Sequence, residues 1–311
     1  MTTSCLRAAL AIASDPAQWQ TAFARALPTL DVHVWPNVPK VVDFALVLRP
    51  PPELFERVRV RQGIFNLGAG VDALLGLPTL PRDIPIVRLE DAGMAMQMAE
   101  YVTLAVLRAY REQDTYAVQQ RERRWHQRVR WSKADFGVGL LGLGVLGKAV
   151  AAALRGFDFP VFGWTRSPRA LPGVTTFAQA DGLRQLLTRS RVLIAMLPST
   201  AETTGLLNRQ ALMQLPQDSH LINVARGALL VEQDLLDLLD EGHLASATLD
   251  VFDAEPLPPG HRFWEHPKIV VTPHVSAVTL VDESATQIAG KMRAIVRGEP
   301  ISGIIDRQRG Y

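Results

Sequence analysis

Short apolar runs alternate along the chain with stretches whose apolar positions recur every three or four residues. In the first third the runs are residues 6–12, 32–35, 44–48, 64–67 and 86–89. Each is rich in Val, Ile, Leu and Phe, which predicts strands. Residues 17–26 predict a helix between the first two runs. A longer helical pattern extends from Met94 to about Gln120, with Met98, Val102, Ala105 and Val106 on one face. Six further runs follow, at residues 136–141, 161–164, 192–197, 220–224, 247–251 and 269–272. A last helix is expected over residues 282–297, stopping at Gly298. Strands that alternate with helices predict an α/β fold with parallel sheets and helices on both faces.

Composition sets the number of cores. A chain of 311 residues, 48% of them hydrophobic, can bury two ordinary cores. No low-complexity linker or short-period repeat divides it. The boundary is therefore expected in the long helix, with the last helix returning to the first domain. This gives one domain of residues 1–97 plus 283–311 and another of residues 98–282. A net charge of +2 argues against nucleic acid as the partner of the whole chain. The basic cluster 121–130, which contains Trp125 and His126, reads as a solvated or subunit-contact face. The single cysteine, Cys5, excludes an internal disulfide and a cysteine-rich metal site, and no metal is expected. Its apolar surroundings predict a buried thiol. The run 6–13 is interrupted by Arg7 and follows no positive charge, so it reads as a strand and not as an export signal. No stretch approaches the ~20 apolar residues that span a bilayer. A soluble, cytoplasmic protein is expected.

Chemistry enters with the second set of strands. Gly142-Leu143-Gly144-Val145-Leu146-Gly147 lies between the run 136–141 and an alanine-rich helix at 145–154. A G-x-G-x-x-G sequence alone is weak, but a strand before it and a helix after it are what a dinucleotide pyrophosphate requires. Gly142 permits the tight turn, Gly144 lets backbone approach phosphate, and Gly147 lets the helix pack on the strand. The helix N-terminus then offers N–H groups and partial positive charge. Proteins that bind NAD carry an acid about 20 residues further on, which holds the ribose hydroxyls. Here the next strand ends in Trp164-Thr165-Arg166-Ser167-Pro168-Arg169, with no acid. A guanidinium suits a 2′-phosphate, so NADP(H) is expected in preference to NAD(H), which stays possible.

Three polar residues follow later strands: Arg226 in Asn223-Val224-Ala225-Arg226-Gly227, Glu255 before Pro256, and His274 after Thr272-Pro273. Strand ends are where an α/β sheet presents groups to a ligand. A guanidinium, a carboxylate and an imidazole there could bind an anionic substrate and move a proton. Each alone is weak evidence of a site, and their ordered occurrence with the glycine motif is what carries weight. In the first third, Leu67-Gly68-Ala69-Gly70 follows a strand, and consecutive N–H groups in such a turn can cradle an anion.

These motifs, in this order, resemble the D-isomer-specific 2-hydroxyacid dehydrogenases over essentially the whole length. Within the family the resemblance is greatest to the glyoxylate/hydroxypyruvate reductase A subgroup. It rests there on Leu67 to Asp72, Arg88-Leu89-Glu90-Asp91, Gln97 to Tyr101, Trp164 to Ser167 and the terminal Arg309-Gly310-Tyr311. The resemblance implies two Rossmann-like or flavodoxin-like domains with the active site in the cleft between them, and a homodimer. It implies that His274 is the acid/base and that Glu255 orients the imidazole and favours its charged form. It implies that Arg226 grips the substrate carboxylate, with Leu67, Gly68, Ala69 and Gly70 holding it too. Cofactor contacts carried over are Gly142, Gly144, Val145, Leu146, Gly147, Trp164, Arg166, Ser167, Leu197, Pro198, Ser199, Thr200, Val224, Ala225, Arg226, Asp250, His274, Ser276 and Ala277. Asp250 has two readings, a turn cap or a partner for the nicotinamide carboxamide. Leu48 and Arg49 depart from the subgroup, which can carry an aromatic and a histidine there, so substrate size stays open. The implied activity is NADPH-dependent reduction of glyoxylate and hydroxypyruvate. The alternatives are an NAD-linked 2-hydroxyacid dehydrogenase and a dinucleotide-sensing binding protein on the same fold.

Overall fold

The computed structural model describes residues 5–13, 15–129 and 131–310. The chain forms two units, Met1–Met94 with Thr279–Tyr311 and Ala95–Val278. In the first, β1 (Leu6–Ala11), β2 (Leu30–Val34), β3 (Val41–Val47), β4 (Arg59–Asn66) and β5 (Ile86–Arg88) form one parallel sheet in the order β2-β1-β3-β4-β5. The central strands carry polar residues in their first halves and are buried toward their carboxyl ends, at residues 8–11, 44–47 and 63–66, where helices cover both faces of such a sheet. Ala8, Ala9, Leu10, Phe44, Ala45 and Leu46 are fully buried. The helix Pro16–Ala26 starts where the Asp15 carboxylate accepts from the Ala17 N–H, and it buries Trp19, Ala22 and Phe23. The helix Val281–Val296 packs against it, burying Ala285, Ile288, Ala289 and Met292 at helical spacing.

The second unit holds β6 (Val138–Leu141), β7 (Val161–Thr165), β8 (Thr175–Ala178), β9 (Val192–Ala195), β10 (Ser219–Asn223), β11 (Leu244–Leu249) and β12 (Ile269–Val271). All are parallel, in the order β12-β11-β10-β9-β6-β7-β8. Strand order reverses at β6, which lies between β7 and β9. That reversal opens a crevice at the carboxyl ends of β6 and β9, the usual ligand position in a doubly wound sheet. The expected α/β class with parallel sheets is thus observed.

Three expectations need correction. The long helical stretch is two helices, Met94–Tyr110 and Gln113–Arg121, with Glu112 between them at φ 52°. The buried face made by Met98, Val102 and Val106 has no continuation in Arg111-Glu112-Gln113-Asp114, and helices persist mainly where an apolar face packs. Strand β8 was not expected, because Thr175-Thr176 gives no apolar run; it is an edge strand beside β7. Cys5 is exposed, since it precedes β1 and does not lie within its buried run; its Sγ is 3.4 Å from the Thr29 carbonyl. In the basic segment Trp125 and Val129 are fully or almost fully exposed, while Arg130 lies outside the described residues, as does Tyr311. Among the described residues no helix is long and apolar enough to cross a membrane.

Candidate active site

Every candidate residue of the Ala95–Val278 unit lies at the carboxyl edge of one sheet. The glycine turn follows β6, Arg166 and Ser167 follow β7, and Leu197 to Thr200 follow β9. Arg226 follows β10, Asp250 follows β11, and His274 follows β12. Parallel pairing aligns these ends. It continues beyond the strands, with the Asp250 N–H on the Asn223 carbonyl and the Thr272 N–H on Leu249, both at 3.0 Å.

The Arg226 turn is set by Asn223, which is fully buried. Its Oδ1 accepts from the Ala225 N–H at 3.1 Å and its Nδ2 donates to the Arg226 carbonyl at 3.0 Å. This local turn is made by the residue type best suited to it. Val224 and Ala225 are buried, whereas Arg226 is half-buried with a side chain that donates to the Ala225 carbonyl at 2.6 Å. Gly227 lies so close to the next loop that a Cβ would sit 1.9 Å from the Phe252 carbonyl carbon, so only glycine fits. In that loop the Glu255 carboxylate accepts from the Phe252 N–H at 3.2 Å. The turns that carry Arg226 and Glu255 therefore lie back to back.

Glu255 and His274 meet directly. The imidazole Nδ1 is 2.8 Å from Glu255 Oε2. A carboxylate can only accept, so Nδ1 carries a proton and Nε2 is the nitrogen left for a ligand. The His274 side chain is 39% exposed and that of Glu255 22%, which leaves the ring accessible. His274 has φ 56°, a left-handed conformation that costs a non-glycine residue ~1–3 kcal/mol.

Asp250 holds that strained turn. It is fully buried, and its carboxylate accepts from the Thr272 hydroxyl at 2.6 Å, the Val275 N–H at 2.8 Å and the Ser276 N–H at 2.8 Å. Its carbonyl accepts from the His274 N–H at 2.9 Å. The Tyr101 hydroxyl lies 2.6 Å from Thr272 Oγ1. Thr272 spends its one hydroxyl proton on Asp250, so Tyr101 is the donor to Thr272. Burial, with the nearby Asp250 charge, pushes the Tyr101 phenol above its usual value and keeps it a donor. Of the two readings of Asp250, the turn cap accounts for these bonds. A carboxylate has about four acceptor positions, so one stays open to a further donor. Tyr101 was not singled out for this role, although a hydroxyl on the same helix face as Met98, Val102 and Ala105 is a signal that a buried partner exists.

The residues present fit a dinucleotide. A Cβ on Gly147 would lie 2.1 Å from the Gly142 carbonyl oxygen, so glycine is what brings the helix Val145–Arg155 against the turn. A Cβ on Gly144 would meet nothing within 4 Å, and Gly144 caps that helix without a side-chain acceptor. The first turn of that helix, with the backbone N–H groups of Val145 and Leu146, is where an anion cradle would form. Around it, Arg169 donates to the Leu143 carbonyl at 3.1 Å, and the Arg166 guanidinium is 2.7 Å from the Glu202 carboxylate. Ser167 accepts through its carbonyl from Thr165 at 2.8 Å. Trp164 donates to the Gln179 carbonyl at 2.7 Å and packs in the core, half-buried. Buried Thr203 fastens the turn after β9, donating to the Pro198 carbonyl at 2.7 Å and accepting from the Thr200 N–H at 2.8 Å. Leu197 and Ser199 are half-buried in the same turn, Ser276 is buried, and Ala277 packs on the core.

The other unit carries residues 67–70. Buried Asn66 donates through Nδ2 to the carbonyls of Gly68 and Gly70, both at 2.9 Å, and so fixes the turn. Leu67 is buried, whereas Gly68, Ala69 and Gly70 are half-buried. Leu48 packs over this turn, with Cδ1 3.3 Å from where a Cβ on Gly68 would be. Arg49 beside it is exposed at φ 49°. Asn66 went unread in the sequence; a polar residue ending an otherwise buried strand was the available sign.

A glycine turn at the switch point of a doubly wound parallel sheet defines a dinucleotide-binding α/β protein. Comparison with known proteins narrows this. Residues 103–276 match the family description D-isomer specific 2-hydroxyacid dehydrogenase, NAD binding domain. Glyoxylate/hydroxypyruvate reductase A of Serratia proteamaculans (strain 568) is 44% identical over 300 residues, 94% of this chain and 96% of that protein. The crystal structure of a D-isomer specific 2-hydroxyacid dehydrogenase from Xanthobacter autotrophicus Py2, in complex with NADPH and MES, has a TM-score of 0.95 and 40% identity, covering 99% of this chain and 100% of that one. An NADPH-dependent glyoxylate/hydroxypyruvate reductase from Sinorhizobium meliloti, in complex with NADP and sulfate, has a TM-score of 0.92 and 34% identity, covering 98% and 100%. The chain belongs to the D-isomer specific 2-hydroxyacid dehydrogenase family, a family of oxidoreductases, as its motifs led us to expect.

Proposed function

We propose that this protein uses NADPH to reduce small 2-oxo acids, converting glyoxylate to glycolate and hydroxypyruvate to D-glycerate. The observation that carries the reading is the His274–Glu255 pair at 2.8 Å, on the sheet edge that also bears Arg226 and the glycine turn. The bound dinucleotide supplies the hydride. Arg226 binds the substrate carboxylate and polarises the carbonyl through its fixed fork of donors. His274 donates the Nε2 proton to the carbonyl oxygen, and Glu255 holds the ring in position through Nδ1. Arg166 and Ser167, where an NAD-binding protein has an acid, support NADP(H) over NAD(H). So do the names of relatives that bind NADPH or NADP.

His274→Ala is expected to lose ~10²–10⁴-fold in turnover with each 2-oxo acid. Arg226→Ala should lose at least ~10²-fold through lost charge stabilisation. Near-normal reduction of every 2-oxo acid by either variant would overturn the assignment. We propose further that the protein is a homodimer in which a second copy covers Leu104, Val118, Trp125 and Val129, apolar side chains exposed on one stretch of chain. A mass in solution equal to one chain would refute this.

A further inference from the structure

We infer that Glu202 sets how tightly this protein holds a 2′-phosphate, by competing with it for the guanidinium of Arg166. The inference rests on the reading of Arg166 as the 2′-phosphate ligand. Arg166 follows β7 and Glu202 follows β9, the two strands that flank β6 and its glycine turn. Their side chains meet at 2.7 Å, so an ion pair joins the loops on either side of that turn. The acid does not stand at the end of the second strand, where a ribose-binding acid would repel the phosphate outright. It reaches the same guanidinium from a neighbouring strand.

Glu202 is not a loose surface acid. Thr203, next to it, is buried and hydrogen-bonded to Pro198 and Thr200, which anchors the turn that presents the carboxylate. The side chains of Arg166 and Glu202 are 47% and 71% exposed, so solvent reaches both and the pair is weak enough to exchange. A 2′-phosphate brings up to two negative charges to that guanidinium. It must then displace the carboxylate or stand beside it, and either weakens binding in a salt-dependent way. Arg169 is held differently, on the Leu143 carbonyl, and keeps a second positive charge at the turn. The chain thus carries a phosphate-selecting arginine with a built-in competitor, which lowers NADP(H) affinity without creating an NAD site.

The test is calorimetric titration of the full-length protein with 2′,5′-ADP and with 5′-AMP, which lacks the 2′-phosphate. Glu202→Gln should tighten 2′,5′-ADP roughly three- to tenfold at low salt, with a smaller gain at ~0.5 M salt. Its affinity for 5′-AMP should stay within twofold, which also reports an intact fold. Glu202→Ala, made in parallel, carries the same expectation. Arg166→Ala should weaken 2′,5′-ADP and leave 5′-AMP unchanged. If Arg166→Ala alters neither ligand, the reading of Arg166 fails. If Arg166→Ala behaves as expected but both Glu202 variants bind 2′,5′-ADP like wild type, the competition is refuted.

Discussion

Replacing Asp250 with asparagine tests whether His274, the proposed proton donor, is held by the fold. The carboxylate takes three hydrogen bonds, two on Oδ1 from Thr272 and Val275 and one on Oδ2 from Ser276. An asparagine has one acceptor oxygen. It can keep the Oδ1 pair only by aiming its NH₂ group at the Ser276 N–H, donor against donor. One charge-assisted bond worth ~1.5–3 kcal/mol is lost, and a buried N–H is left unsatisfied at ~1–3 kcal/mol. These costs overlap, so Asp250→Asn should destabilise the Ala95–Val278 unit by roughly 2–4 kcal/mol. Without its clamp the left-handed His274 backbone, strained by ~1–3 kcal/mol, can relax and carry the imidazole away from Glu255. Turnover should fall by about tenfold or more, since small misplacement of a catalytic group is costly. Urea unfolding followed by tryptophan fluorescence, with steady-state kinetics on the same preparation, measures both. Wild-type stability together with wild-type turnover would refute the reasoning. Unchanged stability with a raised KM for the cofactor alone would assign Asp250 to the nicotinamide instead.

Two other outcomes follow from the same structure. Tyr101→Phe removes the donor to Thr272, at ~0.5–1.5 kcal/mol, and should lower turnover several-fold while shifting its pH profile; an unchanged profile would show that the phenol does not act through His274. Burial, then the nearby Arg191 charge, holds the His220 imidazole down at about 4. Between pH ~6.5 and ~4 the unfolded chain takes up a proton that the folded one refuses, so stability is full above pH ~6.5 and declines on acidification, by ~3 kcal/mol in all. His220→Gln should flatten that slope in unfolding measurements from pH 4.5 to 7.5, and an identical slope in both proteins would contradict the burial argument.

The strands were legible because a parallel sheet covered on both faces writes itself as unbroken apolar runs, as in residues 192–195 and 44–47. Where burial is one-sided the signal fades. Strand β8 begins with two threonines at a sheet edge, and the end of the long helix lacks any apolar face to reveal its break at Glu112. In the site, residue type marked the groups with their own chemistry: an imidazole, a guanidinium and a glycine turn. Residues that act by holding others were harder to read. Asn66 ties two carbonyls of its own turn, and Tyr101 reaches a threonine 171 positions away. The pairing of Arg166 with Glu202 depends on β7 and β9 flanking β6, a fact of strand order that no local motif contains.

The most direct test is the initial rate of NADPH and of NADH consumption across a panel of 2-oxo acids, with wild-type protein and His274→Ala side by side. Our account predicts that glyoxylate and hydroxypyruvate drive NADPH oxidation with a higher kcat/KM than NADH, and that the variant loses it. Absence of turnover with every 2-oxo acid, or a clear preference for NADH, would contradict it.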